Sequence, residues 1–103
     1  MSLILAPAAE ILQTLGARLR TERLAQSLSQ QELAAMAGLS LGALRKLEAS
    51  GQSSLETLVR TVQALGLAGD FEDLFVRPHD SIARMERAAQ AGQRQRAPRR
   101  SLT

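Results

Sequence analysis

The side chains best equipped for chemistry in this sequence are cations. Arg45 and Lys46 stand together in Leu44-Arg45-Lys46-Leu47-Glu48, and Arg94, Arg96, Arg99 and Arg100 crowd the C-terminal end. Guanidinium and ammonium groups pair with anions, phosphate above all, and a guanidinium also matches the two acceptors on the major-groove edge of guanine. The reagents of catalysis are sparse. There is no Cys and one His (His79), which reads as a loop residue beside Pro78. The one serine-rich stretch, Ser50 to Ser54, is explained by a loop and a helix cap, and no glycine-rich phosphate loop is present. An enzyme is not expected, and neither is a metal or other cofactor. Phe71 and Phe75 are the only aromatic residues. Stacking readers of single strands need aromatic platforms, so an RRM-like or OB-like binder is not expected either.

Charge is distributed unevenly along the 103 residues. Residues 1–76 hold six Lys/Arg against eight Asp/Glu, whereas residues 77–103 hold seven Arg against Asp80 and Glu86. A basic tail on a mildly acidic body points to a polyanion partner, nucleic acid before membrane. A solvated tail that serves only solubility is the equal alternative. Leu3-Ile4-Leu5-Ala6 is too short for a signal sequence and lacks a basic flank, and no run reaches membrane-spanning length. A cytoplasmic protein without membrane contact is therefore expected.

The elements that must position these cations are helices. Leu and Ala number 18 and 17, against six Val and Ile together, a balance that favours an all-α chain. Length allows one domain of about 70–80 residues. Apolar spacing predicts helix 1 at 8–24, where Ile11, Leu12, Leu15 and Leu19 recur at helical spacing with Arg18, Arg20, Glu22 and Arg23 on the other faces, and Gly16 is a weak point. Ser29 and Glu32 form a capping box for helix 2 at 30–37, and Gly38 ends it. Ser40 caps helix 3 at 41–49, with Leu44 and Leu47 inward. Ser53 and Glu56 read as a second capping box for helix 4 at 54–65, with Leu55, Leu58, Val59, Val62 and Leu65 inward. Asp70 caps a short helix 5 at 71–76, where Phe71, Leu74 and Phe75 either close the core or form a dimer patch. A weaker sixth helix is expected at 82–91, followed by the Arg-rich tail. The organisation is an N-terminal arm at 1–7, a domain at 8–77 and a C-terminal segment at 78–103.

Two short helices joined by a tight turn containing Gly make a helix-turn-helix. Ala34 is small enough for helix 3 to cross helix 2 closely, Gly38 permits the reversal, and Leu44 and Leu47 anchor helix 3. At 100° per residue, that anchoring turns Gly42, Arg45, Lys46 and Ala49 outward.

Leu28-Ser29-Gln30-Gln31-Glu32-Leu33-Ala34, Ala37-Gly38-Leu39-Ser40, Leu44-Arg45-Lys46-Leu47-Glu48 and Ser54-Leu55-Glu56-Thr57-Leu58 together resemble the Cro/CI-type (XRE) helix-turn-helix family. The likeness covers about residues 11–76 and implies a compact five-helix bundle, here with the sixth helix and the basic tail appended. It implies a transcriptional regulator, a repressor, that binds double-stranded DNA as a homodimer on a palindromic site. Ser29 and Gln30 would lie at a phosphate, Ser40, Leu41, Gly42, Arg45 and Lys46 would face the major groove, and Gln31 is a candidate further polar reader. The likeness also implies a salt bridge between Arg23 and Glu48. A narrower likeness to HipB-like antitoxins implies a kinase-like toxin as protein partner. Three positions depart from the family pattern. Leu41 and Gly42 stand where polar readers are frequent, the loop at 49–53 has no basic residue, and Ser27 replaces a common Gly. A helix-turn-helix adaptor that binds protein through Leu41, without reading DNA, is the alternative. Its affinity would be nearly insensitive to salt, whereas DNA binding weakens steeply with salt.

Overall fold

Pro7, in extended conformation, starts the first helix of a computed structural model that describes residues 2–78, 85–87 and 89. The chain divides into two compact units between Glu72 and Asp73. The first contains α1 (Ala8–Ala25), α2 (Gln30–Ala37), α3 (Leu41–Ser50), α4 (Leu55–Ala64) and a 3-10 turn (Ala68–Phe71). No strand occurs among the described residues. Leu19, Leu33, Ala34, Leu44, Leu47, Val62 and Leu65 form the buried core. Leu28, Leu58, Ala64, Leu67 and Phe71 pack around it.

The helix boundaries follow from local hydrogen bonds. Ser29 accepts from the Glu32 amide at 2.9 Å, and the Ser29 amide donates to Glu32 Oε1 at 2.8 Å. The backbone N–H of Ser29 thereby holds the Glu32 carboxyl below the usual carboxylate range. Gly38 closes α2 at φ +70°, and the Leu39 amide reaches back to Ala34 O at 2.8 Å. Ser40 caps α3 by accepting from the Ala43 amide at 3.1 Å.

The turn after α1 takes the same left-handed form without a glycine. Ser27 has φ +59°, and the Leu28 amide donates to Arg23 O at 3.1 Å. A left-handed backbone costs a residue with a Cβ about 1–2 kcal/mol. Ser27→Gly is therefore expected to stabilise the protein by about 1 kcal/mol and to raise its melting temperature by about 4–8 °C in thermal unfolding.

Several sequence expectations need correction. The fifth helix is a 3-10 turn at Ala68–Phe71 rather than an α-helix over 71–76, and Asp70 lies inside it rather than at a cap. The Asp70 amide donates to Leu67 O at 2.9 Å and the Glu72 amide to Gly69 O at 3.1 Å. This tight winding carries Phe71 onto the core, so burial overrides the helical pattern. Residues 72–75 are in turns, Phe75 is left-handed at φ +65°, and Phe75 and Leu74 are exposed. The cap of α4 is Ser54, which accepts from the Thr57 amide at 3.0 Å, not Ser53. Glu56 pairs instead with Arg60 Nη2 at 2.8 Å. In the resulting register Leu55 is exposed and Thr61 is fully buried, its hydroxyl donating to Thr57 O at 2.8 Å. Of the expected sixth helix, residues 85–87 and 89 are helical; the rest of it, His79 and the arginines at 94–100 lie outside the described residues.

Candidate nucleic-acid interface

Backbone contact between α1 and α3 fixes where α3 lies. Gly16, expected to weaken α1, is a point of close approach to α3. A Cβ there would run into the carbonyl oxygen of Leu47 and sit 3.2 Å from Glu48 O and Gly51 N. Gly51 returns the constraint, because a Cβ on it would overlap the backbone of Leu12. Leu44 and Leu47 fill the core beneath.

An ion pair ties the same two helices. Arg23 Nε donates to Glu48 Oε2 at 2.7 Å and Nη2 to Oε1 at 3.0 Å. Arg23 Nη1 donates to Leu28 O at 2.7 Å. Both residues are buried. The hydrogen bond to Glu48 raises the Arg23 pKa further above its already high value, so the guanidinium stays charged.

Gln30 extends this pair to the surface. Its Nε2 donates to Glu48 Oε1 at 3.0 Å, and its Oε1 accepts from Arg45 Nε at a longer 3.4 Å. A continuous line thus runs Arg23, Glu48, Gln30, Arg45, from the core to the outer face of α3. The first residue of α2 and that outer face lie side by side.

The remaining candidates fall around this line. Arg45, Lys46, Gly42 and Ala49 are exposed on α3, and Leu41 is half-buried at its start. Ser29, Gln31 and Ser40 are exposed, and Gln30 is half-buried. The side-chain oxygens of Ser29 and Ser40 are engaged as caps. The first-turn amides of Gln30 and Gln31 have no intrahelical acceptor and sit at the positive end of the α2 dipole. The side-chain bridge through Gln30 was not foreseen in the sequence. Its signal was a Gln at the first position of α2 together with a Glu at the end of α3, which only the crossing of the two helices makes neighbours.

A turn-linked helix pair with an exposed basic face on its second member, seated on a small all-helical core, defines a helix-turn-helix protein. Residues 19–71, from the middle of α1 through the 3-10 turn, match the helix-turn-helix family, and the chain belongs to that family in its XRE, Cro/CI-type form. It is a DNA-binding transcription regulator of that type. No curated protein matches the chain. Among the described residues, no helix is long and apolar enough to cross a membrane.

Proposed function

We propose that this regulator is a sequence-specific repressor that binds a palindromic operator in double-stranded DNA as a homodimer, in the cytoplasm at the nucleoid. The observation that carries the reading is the exposed pair Arg45 and Lys46 on α3, beside the N-terminus of α2. Arg45 suits the O6 and N7 acceptors of guanine, Lys46 a second base or a phosphate, and the Gln30 and Gln31 amides a backbone phosphate. Ser29 and Ser40 shape the two helix ends that approach the duplex. Two copies related by a dyad would set their α3 helices in successive major grooves about 34 Å apart. Exposed Leu74 and Phe75 offer apolar surface for that pairing or for a kinase-like toxin, with which the protein would form an autorepressing pair.

Arg45→Ala is expected to cost about 1–3 kcal/mol of operator affinity and to relax specificity at one position. The loss should leave thermal unfolding unchanged, since neither Arg45 nor Lys46 fills the core. Titrations of a double variant at Arg45 and Lys46 check this, and unchanged operator affinity would rule out major-groove reading by α3. The arginines at 94, 96, 99 and 100 serve affinity rather than specificity. Truncation after Gly92 is expected to flatten the salt dependence by about 3 to 4 units, at roughly 0.9 per phosphate neutralised. Operator and random DNA should lose affinity alike. Salt-insensitive binding of a protein partner, without DNA, would favour the adaptor reading instead.

A further inference from the structure

The fold has no use for the glycine inside α3. A Cβ built on Gly42 meets no heavy atom within 4 Å, and its backbone is regular α-helix. Alanine at such a position is favoured over glycine by about 1 kcal/mol. Gly16 makes the contrast, since there the neighbouring backbone leaves no room for a side chain. On the exposed face of α3, such a glycine leaves room for something outside the chain to come close to the backbone.

The surroundings of Gly42 say what that is. Ser40 Oγ is occupied as a cap, accepting from the Ala43 amide at 3.1 Å. Leu41 and Ala43 are apolar, and the cations Arg45 and Lys46 begin one turn later. The leading turn of α3 therefore cannot read a base edge through polar side chains at residues 41–43. The major-groove feature that suits an apolar surface is the 5-methyl group of thymine.

We infer that Leu41 and Gly42 form a seat for a thymine methyl. Gly42 is the gap that lets the leading turn of α3 sink against an A·T pair, and Leu41 is the wall on which the methyl packs. The inference rests on the DNA-binding reading above and specifies the base taken at the leading edge of α3. Gly42 thereby acts on specificity through its missing side chain.

The full-length chain can select duplexes from a random double-stranded pool. Each thymine of the enriched duplex is then replaced in turn by deoxyuridine, which removes the methyl alone. Loss of the seated methyl in one half-site is expected to weaken binding about fourfold, the worth of one buried methyl-sized group. Gly42→Ala is expected to raise the melting temperature by about 5 °C. The same variant should bind the enriched duplex about tenfold more weakly, because the new methyl overfills the seat. The deoxyuridine effect should vanish in Leu41→Ala. A glycine with a purely structural role would move stability and affinity in the same direction. Deoxyuridine silent at every thymine, or Gly42→Ala binding as tightly as the parent, would overturn the seat while enrichment still upheld DNA reading. Failure to enrich any sequence would overturn both.

Discussion

Glu48→Ala is expected to lower the free energy of unfolding by about 3–5 kcal/mol, the usual consequence of leaving one member of a buried ion pair alone. The Arg23 and Glu48 side chains are only 7% and 2% exposed. Removing the carboxylate takes two donors' partner from Arg23 and one from Gln30, and leaves a guanidinium inside the protein with the Leu28 carbonyl as its remaining acceptor. Native domains are stable by only about 5–15 kcal/mol, so this change alone takes a large share. Urea denaturation measures it. Replacing both partners by apolar residues of similar volume, Arg23→Met with Glu48→Leu, should recover most of the loss, because the penalty comes from the uncompensated charge. A double variant no more stable than Glu48→Ala would place the damage in packing instead.

Gly51→Ala is expected to be comparably severe. Gly51 sits at φ +78°, which costs alanine about 1–2 kcal/mol. Its Cβ would also overlap the Leu12 backbone, and overpacking of this kind adds about 1–3 kcal/mol. Gly16→Ala tests the same contact from the other helix. Helix propensity alone would make that substitution stabilising by about 1 kcal/mol. The carbonyl of Leu47 reverses the sign, to a loss of about 1–3 kcal/mol, since a backbone oxygen cannot rotate away as a side chain can. Chemical denaturation reads the sign directly, and a gain for Gly16→Ala would show that α1 and α3 do not meet there.

These two positions show where sequence reading stops. Caps at Ser29 and Ser40, the left-handed Gly38 and the periodic Leu33, Leu44 and Leu47 are local or nearly local signals, and they placed α2 and α3 within one residue of their observed ends. Gly16 carries no such signal, because its role depends on a carbonyl more than thirty residues away. Thr61 likewise reads as polar, yet its hydroxyl bonds one turn back to Thr57 O and lets the side chain lie fully buried. The 3-10 turn escaped because Phe71 packs against the core built from α1 to α4, a contact that local periodicity does not show. At the candidate interface, the outward set Gly42, Arg45, Lys46 and Ala49 was legible from periodicity alone. The bridge through Gln30 was not, because it needs the distance between two helices.

That bridge bears on the ordering entropy that Arg45 would lose in the proposed contact with DNA. A long cationic side chain usually samples many rotamers in solution, and immobilising it on binding costs about 0.5–1.5 kcal/mol. Arg45 leans through Nε on the amide oxygen of Gln30, which is itself moored to a carboxylate buried in the core. The contact is long at 3.4 Å, so it is a light restraint, and it leaves the two terminal nitrogens of Arg45 open to an acceptor pair. On the proposed reading of DNA by Arg45, part of the ordering entropy of recognition would be spent during folding, with the buried ion pair as the anchor.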